Sequence, residues 1–212
     1  MRKKRLQRDH NALSYFLSFF ANMIYQDKII ILTAPSGAGK TSITRYLLNS
    51  FPDKLAFSIS AATRKPRDNE KNGIDYYFLS QEDFNIKIQE DEFVEWEMVY
   101  EGKYYGTLKS ELQRIWNKQQ VPLLDIDVKG AIHVKKQFPQ SLGLFIMPPS
   151  VDELKRRLNS RGTDSEESIR ARVNKAKYEL TFKNHFDYQI LNDDLDKACK
   201  EAKALVESFI GI

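Results

Sequence analysis

The stretch Ile29-Ile30-Ile31-Leu32-Thr33-Ala34-Pro35-Ser36-Gly37-Ala38-Gly39-Lys40-Thr41-Ser42 decides the reading of this chain. Its first five residues form a continuous apolar run closed by a threonine, the pattern of a strand covered on both faces. A turn of small residues follows, and from Lys40 the pattern becomes helical. Strand, glycine-rich turn and helix in that order form the setting of a phosphate-binding loop. Small residues let backbone N–H groups converge on phosphate oxygens, and the helix N-terminus adds a favourable dipole. Ser36, Gly37, Ala38, Gly39, Lys40, Thr41 and Ser42 are therefore the candidate nucleotide-phosphate ligands. Lys40 places a point charge at the β/γ phosphates, and the Thr41 hydroxyl can ligate Mg²⁺. The motif departs from G-x-x-x-x-G-K-[ST] at its first position, where Ala34 replaces glycine. That is tolerable if Ala34 has φ below zero.

Working outward, apolar runs at 55–59, 121–126, 142–147 and 188–191 alternate with helical patterns at 40–50, 109–117, 129–137 and 195–209. Short strand-to-helix connections of this kind describe an α/β fold with a parallel central sheet. The expected architecture is a three-layer α/β/α fold carrying two inserts. Residues 61–107 read as a small mixed lobe, with one helix announced by Ser80-Gln81-Glu82-Asp83. Residues 152–185 read as a helical segment. Ser150 is its N-cap, and a second helix starts near Ser165-Glu166-Glu167-Ser168. The core is then about 27–60, 108–151 and 186–212, within one domain spanning 27–212.

Composition narrows the function. The chain has a single cysteine, which excludes a disulfide framework and any multi-cysteine metal site. This favours a reducing, cytoplasmic setting. The net charge of +4 invites a nucleic-acid reading until it is located. Arg2, Lys3, Lys4, Arg5 and Arg8 outweigh Asp9 in residues 1–22. Beyond them, 28 Lys and Arg face 28 Asp and Glu. The body is neutral, so neither a nucleic-acid partner nor a membrane is expected for 27–212. Residues 1–26 form a basic then apolar head, whose uncharged run from Asn11 to Gln26 is too short to span a bilayer. Three readings of the head stand: Met23 as the true start, a native amphipathic extension, or an export or anchoring signal.

A second set of motifs concerns the phosphoryl acceptor. It comprises Ser60-Ala61-Ala62-Thr63-Arg64-Lys65-Pro66-Arg67, Gly73-Ile74-Asp75-Tyr76-Tyr77-Phe78, Phe93-Val94-Glu95-Trp96 and Tyr104-Tyr105-Gly106-Thr107. Two arginines three apart with nearby tyrosines suit a phosphate monoester held by forked, charge-assisted hydrogen bonds. Asp125 and Asp127 end the third apolar run, near the carboxyl edge where α/β ligand sites lie. Arg157 and Arg161 share a helical face, and Arg172 falls on the next helix.

These motifs resemble guanylate kinases, which move a phosphoryl group from ATP to GMP. The resemblance covers about residues 27–212. It implies that Arg64, Arg67, Tyr76 and Tyr105 hold the GMP phosphate. It also implies that Ser60, Glu95, Gly106 and Thr107 surround the guanine, with Asp127 nearby. Lys40, Arg67, Arg161 and Arg172 would be catalytic, the last two from a lid. Arg157, Asn192 and Asp193 would lie on the ATP side, with Thr41 and Asp125 at Mg²⁺. The substrates would be GMP (with dGMP) and ATP, in a monomer or simple homo-oligomer. Two departures stand out: Ala61-Ala62 replaces the Ser or Thr frequent in relatives, and the stretch 95–105 is one residue longer. Glu101-Gly102 is the expected turn there, and Tyr104 and Tyr105 compete for one role. Asn192 and Asp193 read equally as N-caps of the last helix. An inactive interaction module with the same fold is the competing reading, but it predicts loss of the phosphate-binding residues, all of which are present.

Overall fold

A computed structural model describes Tyr25, residues 27–160 and residues 165–212. The head before Tyr25 and Arg161 therefore lie outside the described residues. The strands are β1 (Ile30–Thr33), β2 (Leu55–Phe57), β3 (Ala61–Ala62), β4 (Tyr77–Phe78), β5 (Phe93–Tyr100), β6 (Lys103–Leu108), β7 (Val121–Asp125), β8 (Leu142–Met147) and β9 (Tyr188–Leu191). The helices are α1 (Lys40–Ser50), α2 (Gln81–Gln89), α3 (Lys109–Trp116), α4 (Val128–Gln137), α5 (Val151–Asn159), α6 (Glu166–Leu180) and α7 (Leu195–Ile210), with a 3₁₀ turn at Lys183–His185.

Five strands form a parallel sheet in the order β2-β7-β1-β8-β9. Strand periodicity sends alternate residues of the Ile29–Leu32 run to opposite faces. Ile30 and Leu32 pack with Ile43 and Leu47 of α1 and Ala202 and Val206 of α7. Ile29 and Ile31 pack with Leu112 of α3 and Ala131 and Val134 of α4. The three-layer α/β/α architecture follows directly from this two-sided burial. Cys199 is buried in the first of these clusters.

Residues 61–107 contain a second sheet, β4-β3-β6-β5, in which β3 pairs parallel with β4 and β6 antiparallel with both β3 and β5. Phe84 of α2 stacks on Phe93 with ring centroids 4.4 Å apart, giving this sheet its own small core. Ser80 caps α2 by accepting the Asp83 N–H at 3.0 Å. The β5–β6 turn is at Glu101-Gly102, and the register of β5 against β6 is irregular between Met98 and Tyr100.

The helices α5 and α6 pack on each other through Leu154, Leu158, Ile169 and Ala176. Ser150 and Ser165 cap them, each accepting an N–H from three residues on. Two strand ends are shorter than their apolar runs. β2 stops at Phe57 because the Ile59 N–H turns away to the Glu111 carboxylate. β7 stops at Asp125 because the Ile126 carbonyl accepts Thr33 Oγ1 and Lys40 Nζ instead of extending the sheet.

Candidate active site

The loop between β1 and α1 lies at the carboxyl edge of the sheet. Gly37 and Gly39 have φ of +93° and +97°, left-handed values that side chains rarely adopt. Ala34 is not among the described residues with positive φ, so the missing first glycine is no obstacle. Gly39 begins α1 without any side-chain cap bond, so the cap position contributes no side-chain acceptor to the first-turn N–H groups. The hydroxyl-bearing Thr41 and Ser42 are exposed in that turn.

Lys40 is tethered at the loop's base: its Nζ pairs with Asp125 and donates to the Ile126 carbonyl at 3.0 Å. The register that sets Leu32 beside Asp125 brings this carboxylate to the lysine. Thr44, one turn further along α1, also donates to Asp125 at 3.3 Å. Asn192 closes the loop from the far side. It is buried, and its amide donates to the Ala38 carbonyl at 2.7 Å. Its own carbonyl accepts Arg157 Nη2 at 3.0 Å, while Glu153 holds Arg157 Nε at 2.8 Å. Arg157 thus links helix α5 to the loop's support. Neither Asn192 nor Asp193 caps α7. That cap is Asp194, which accepts the Lys197 N–H, while the exposed Asp193 carboxylate accepts the Asp194 N–H.

On the acceptor side, Ser60, Tyr76, Glu95, Tyr105, Gly106 and Asp127 line one pocket of about 130 Å³, with Asp125 at its edge. Gly106 is needed by close approach: a Cβ there would lie 2.7 Å from the Glu95 carbonyl oxygen. Glu95 is 7% exposed and accepts the fully buried Thr107 hydroxyl at 2.7 Å. Burial pushes its carboxyl up to about 7; the Thr107 bond opposes this, and the Asp127 and Glu97 carboxylates add to it. Thr107 spends its proton on Glu95, which leaves its hydroxyl oxygen only as an acceptor. Asp127 caps α4 through the Gly130 N–H at 2.8 Å while still facing the pocket.

Arg64 and Arg67 line an adjoining cleft that shares Tyr105 with this pocket. Arg64 is gripped by Glu70 through two bonds of 2.5 and 2.7 Å and lies 4.7 Å over the Tyr76 ring. That pair holds Glu70 down at about 2, and Glu70 also accepts the Arg67 N–H at 2.8 Å. Tyr105 meets Tyr76 edge-on at 6.1 Å, whereas Tyr104 packs on Phe84 and Trp96. Strand alternation turns Tyr105, and not Tyr104, to the pocket. Finally, Ser36, Arg64, Arg67, Tyr105 and Arg172 line a single cleft of about 350 Å³. The phosphate loop, the arginine pair and helix α6 therefore converge.

A family model for guanylate kinase matches residues 26–209. The chain belongs to the guanylate kinase family. It is 47% identical over 186 residues to the guanylate kinase of Bacteroides fragilis, covering 87% of this chain and 91% of that one. The Porphyromonas gingivalis guanylate kinase is 47% identical over 184 residues, 86% of this chain and 98% of that one. A crystal structure of guanylate kinase from Anaplasma phagocytophilum matches with a TM-score of 0.67 and 29% identity, covering 85% of each chain.

Two residues, one in the site and one beside it, leave no local sign of their role in the sequence. Glu70 looks like a solvent-facing acid in a polar loop, and only its closeness to Arg64, six residues before, gives it a role. Glu111 looks like a favourable first-turn acid on α3 but is 1% exposed. Among the described residues no helix is long and apolar enough to cross a membrane.

Proposed function

We propose that this guanylate kinase-family chain transfers the γ-phosphoryl group of ATP to GMP, giving ADP and GDP, with residues 61–107 holding GMP and residues 152–185 acting as a lid. The observation that carries this reading is the buried Glu95, bonded to Thr107, in the lining of a pocket that shares Tyr105 with the arginine cleft and contains Asp125, the partner of Lys40.

Guanine presents N1–H and N2–H₂ as adjacent donors and O6 as acceptor. The Glu95 carboxylate takes the donors, the Ser60 hydroxyl donates to O6, and Thr107 accepts a remaining N–H. Adenine lacks the donor pair and would leave a buried carboxylate unpaired, at a cost of about 1–3 kcal/mol or more. dGMP offers the same base and is expected as a second acceptor. The acceptor phosphate meets Arg64, Arg67, Tyr76 and Tyr105. Arg64 is already held flat by Glu70, so less side-chain freedom is lost on binding.

A phosphate monoester is already anionic at pH 7, so no protein base is required. One of its oxygens attacks the γ-phosphorus in line as the bond to the β–γ bridging oxygen breaks. The loop amides and Lys40 hold the ATP phosphates. Arg67 and Arg172, with Arg161 outside the described residues, neutralise the equatorial oxygens. Arg157 and Asn192 keep the loop shaped for ATP, with Asp193 at its edge.

Mg²⁺ fits this site. Thr41 and Asp125 line one cavity of about 430 Å³, and no cluster of three or more acidic, His or Cys side chains gathers among the described residues. Such a donor set suits an ion held mainly by phosphate oxygens and water. When bound, the ion would offset charge on the β- and γ-phosphates.

The test is ADP release with ATP and, in turn, GMP, dGMP, AMP, UMP and CMP, with and without EDTA. The reading requires GMP and dGMP to dominate and EDTA to abolish turnover. Preference for another monophosphate would overturn the acceptor assignment.

A further inference from the structure

We propose that Glu111, which lies outside the nucleotide pocket, is a positioning residue that sets the geometry of the GMP side. The inference rests on the GMP reading above and deepens it.

The Glu111 carboxylate collects four donors. Oε1 accepts the Ile59 N–H at 2.9 Å and Arg114 Nη2 at 2.7 Å; Oε2 accepts the Tyr77 hydroxyl at 2.9 Å and Arg114 Nε at 2.7 Å. Ile59 immediately precedes Ser60, and Tyr77 immediately follows Tyr76. The two segments are also joined to each other, because the Tyr77 N–H donates to the Ser60 carbonyl at 2.9 Å. One carboxylate on α3, a helix fastened to the parent sheet by Leu112, therefore holds both chain segments that present Ser60 and Tyr76 to the pocket.

Its location gives this clamp leverage. The Ser58 N–H still bonds the Leu123 carbonyl of the parallel sheet at 3.0 Å, whereas Ala61 belongs to the second sheet. The chain crosses between the two sheets at 59–60, and Glu111 accepts the Ile59 N–H on that crossing. Burial of Tyr77 and its bond to Glu111 both raise the phenol's pKa, so it remains a donor at any working pH.

A buried Arg–carboxylate pair is weak evidence for stability, since well-packed apolar replacements often do as well. Two directional bonds to two separate segments, with Arg114 holding the carboxylate in place, instead fix register. Loss of the clamp should let Ser60 and Tyr76 drift together while leaving the phosphate loop and Asn192 untouched. GMP binding should suffer and ATP binding should not.

Steady-state kinetics of the full chain test this with Tyr77→Phe, which removes one hydroxyl and keeps the ring, and with Glu111→Gln. Thermal melts establish that each variant is folded, and Tyr77→Phe decides alone if Glu111→Gln is not. The expected result is a KM for GMP raised roughly threefold to tenfold in Tyr77→Phe and about tenfold or more in Glu111→Gln, with the KM for ATP within about twofold of wild type. The double variant should be no worse than Glu111→Gln. An unchanged KM for GMP, or equal rises for both substrates, would overturn the role of Glu111 while the wild-type activity stands. A wild type that ignores GMP would remove the site reading and this inference together.

Discussion

Replacing Glu95 with glutamine should make the empty protein more stable and the enzyme worse. The folded carboxyl is raised to about 7 from the ordinary 4.5 by burial, against the pull of Thr107. The native state therefore holds a proton that the unfolded chain releases between those values. Stability from this group is highest below about 4.5, falls as pH rises, and is lowest above about 7. At 1.36 kcal/mol per pH unit, the ionised form costs the fold about 3 kcal/mol. Glutamine cannot ionise, keeps the shape and can still accept the Thr107 hydroxyl, which lies 2.7 Å away. Urea unfolding at pH 5, 6, 7 and 8 without nucleotide should show Glu95→Gln close to wild type at pH 5 and more stable by about 1–3 kcal/mol at pH 8. In parallel, kcat/KM for GMP should fall by about 10²-fold at pH 8 as a charged acceptor for two donors is lost. Wild-type kcat/KM should decline below about pH 7 as Glu95 protonates in the free enzyme. The substrate phosphate titrates near 6, so the Glu95 limb is identified by its absence in the variant. A stability difference independent of pH, or a variant less stable at pH 8, would refute the reasoning about burial.

The remaining predictions concern the phosphate loop. Lys40→Met should lower kcat by about 10²–10³-fold, while urea unfolding shifts little because the lysine lies at the site's edge, paired with Asp125. Asn192→Ala should strand the Ala38 carbonyl, costing about 1–3 kcal/mol of stability, and raise the KM for ATP more than that for GMP in steady-state assays. Ala34→Gly should leave ATP affinity by calorimetry nearly unchanged. Gly39→Ala, at φ +97° and against the Asn192 amide, should cost more than about 1 kcal/mol on unfolding.

How much of this was legible in the sequence depends on the range of each interaction. The sheet could be read because buried parallel strands leave continuous apolar runs such as Ile29–Leu32. The caps at Ser80, Ser150 and Ser165 could be read because a cap spans three residues. The phosphate loop was legible because its small residues and lysine are consecutive. Long-range polar contacts left no such trace. Asn192 binds Ala38 across 154 positions, so its sequence neighbours left an N-cap equally open. Nothing local distinguishes Glu111 from an exposed first-turn acid; its burial exists only once β2, β4 and α3 have met. The choice between Tyr104 and Tyr105 likewise awaited the strand register of β6 against β5 and β3.

Guanine is expected to sit on Glu95 and Thr107 while its phosphate faces the ATP loop across the arginine cleft. A crystal structure of the protein with a bisubstrate analogue, adenosine and guanosine joined by a polyphosphate, tests that claim most directly. Guanine N1 and N2 should lie within hydrogen-bond distance of the Glu95 carboxylate, with the polyphosphate running from Arg64 and Arg67 to Lys40. Guanine seated anywhere else, or a chain of phosphates that bypasses the arginine pair, would contradict it.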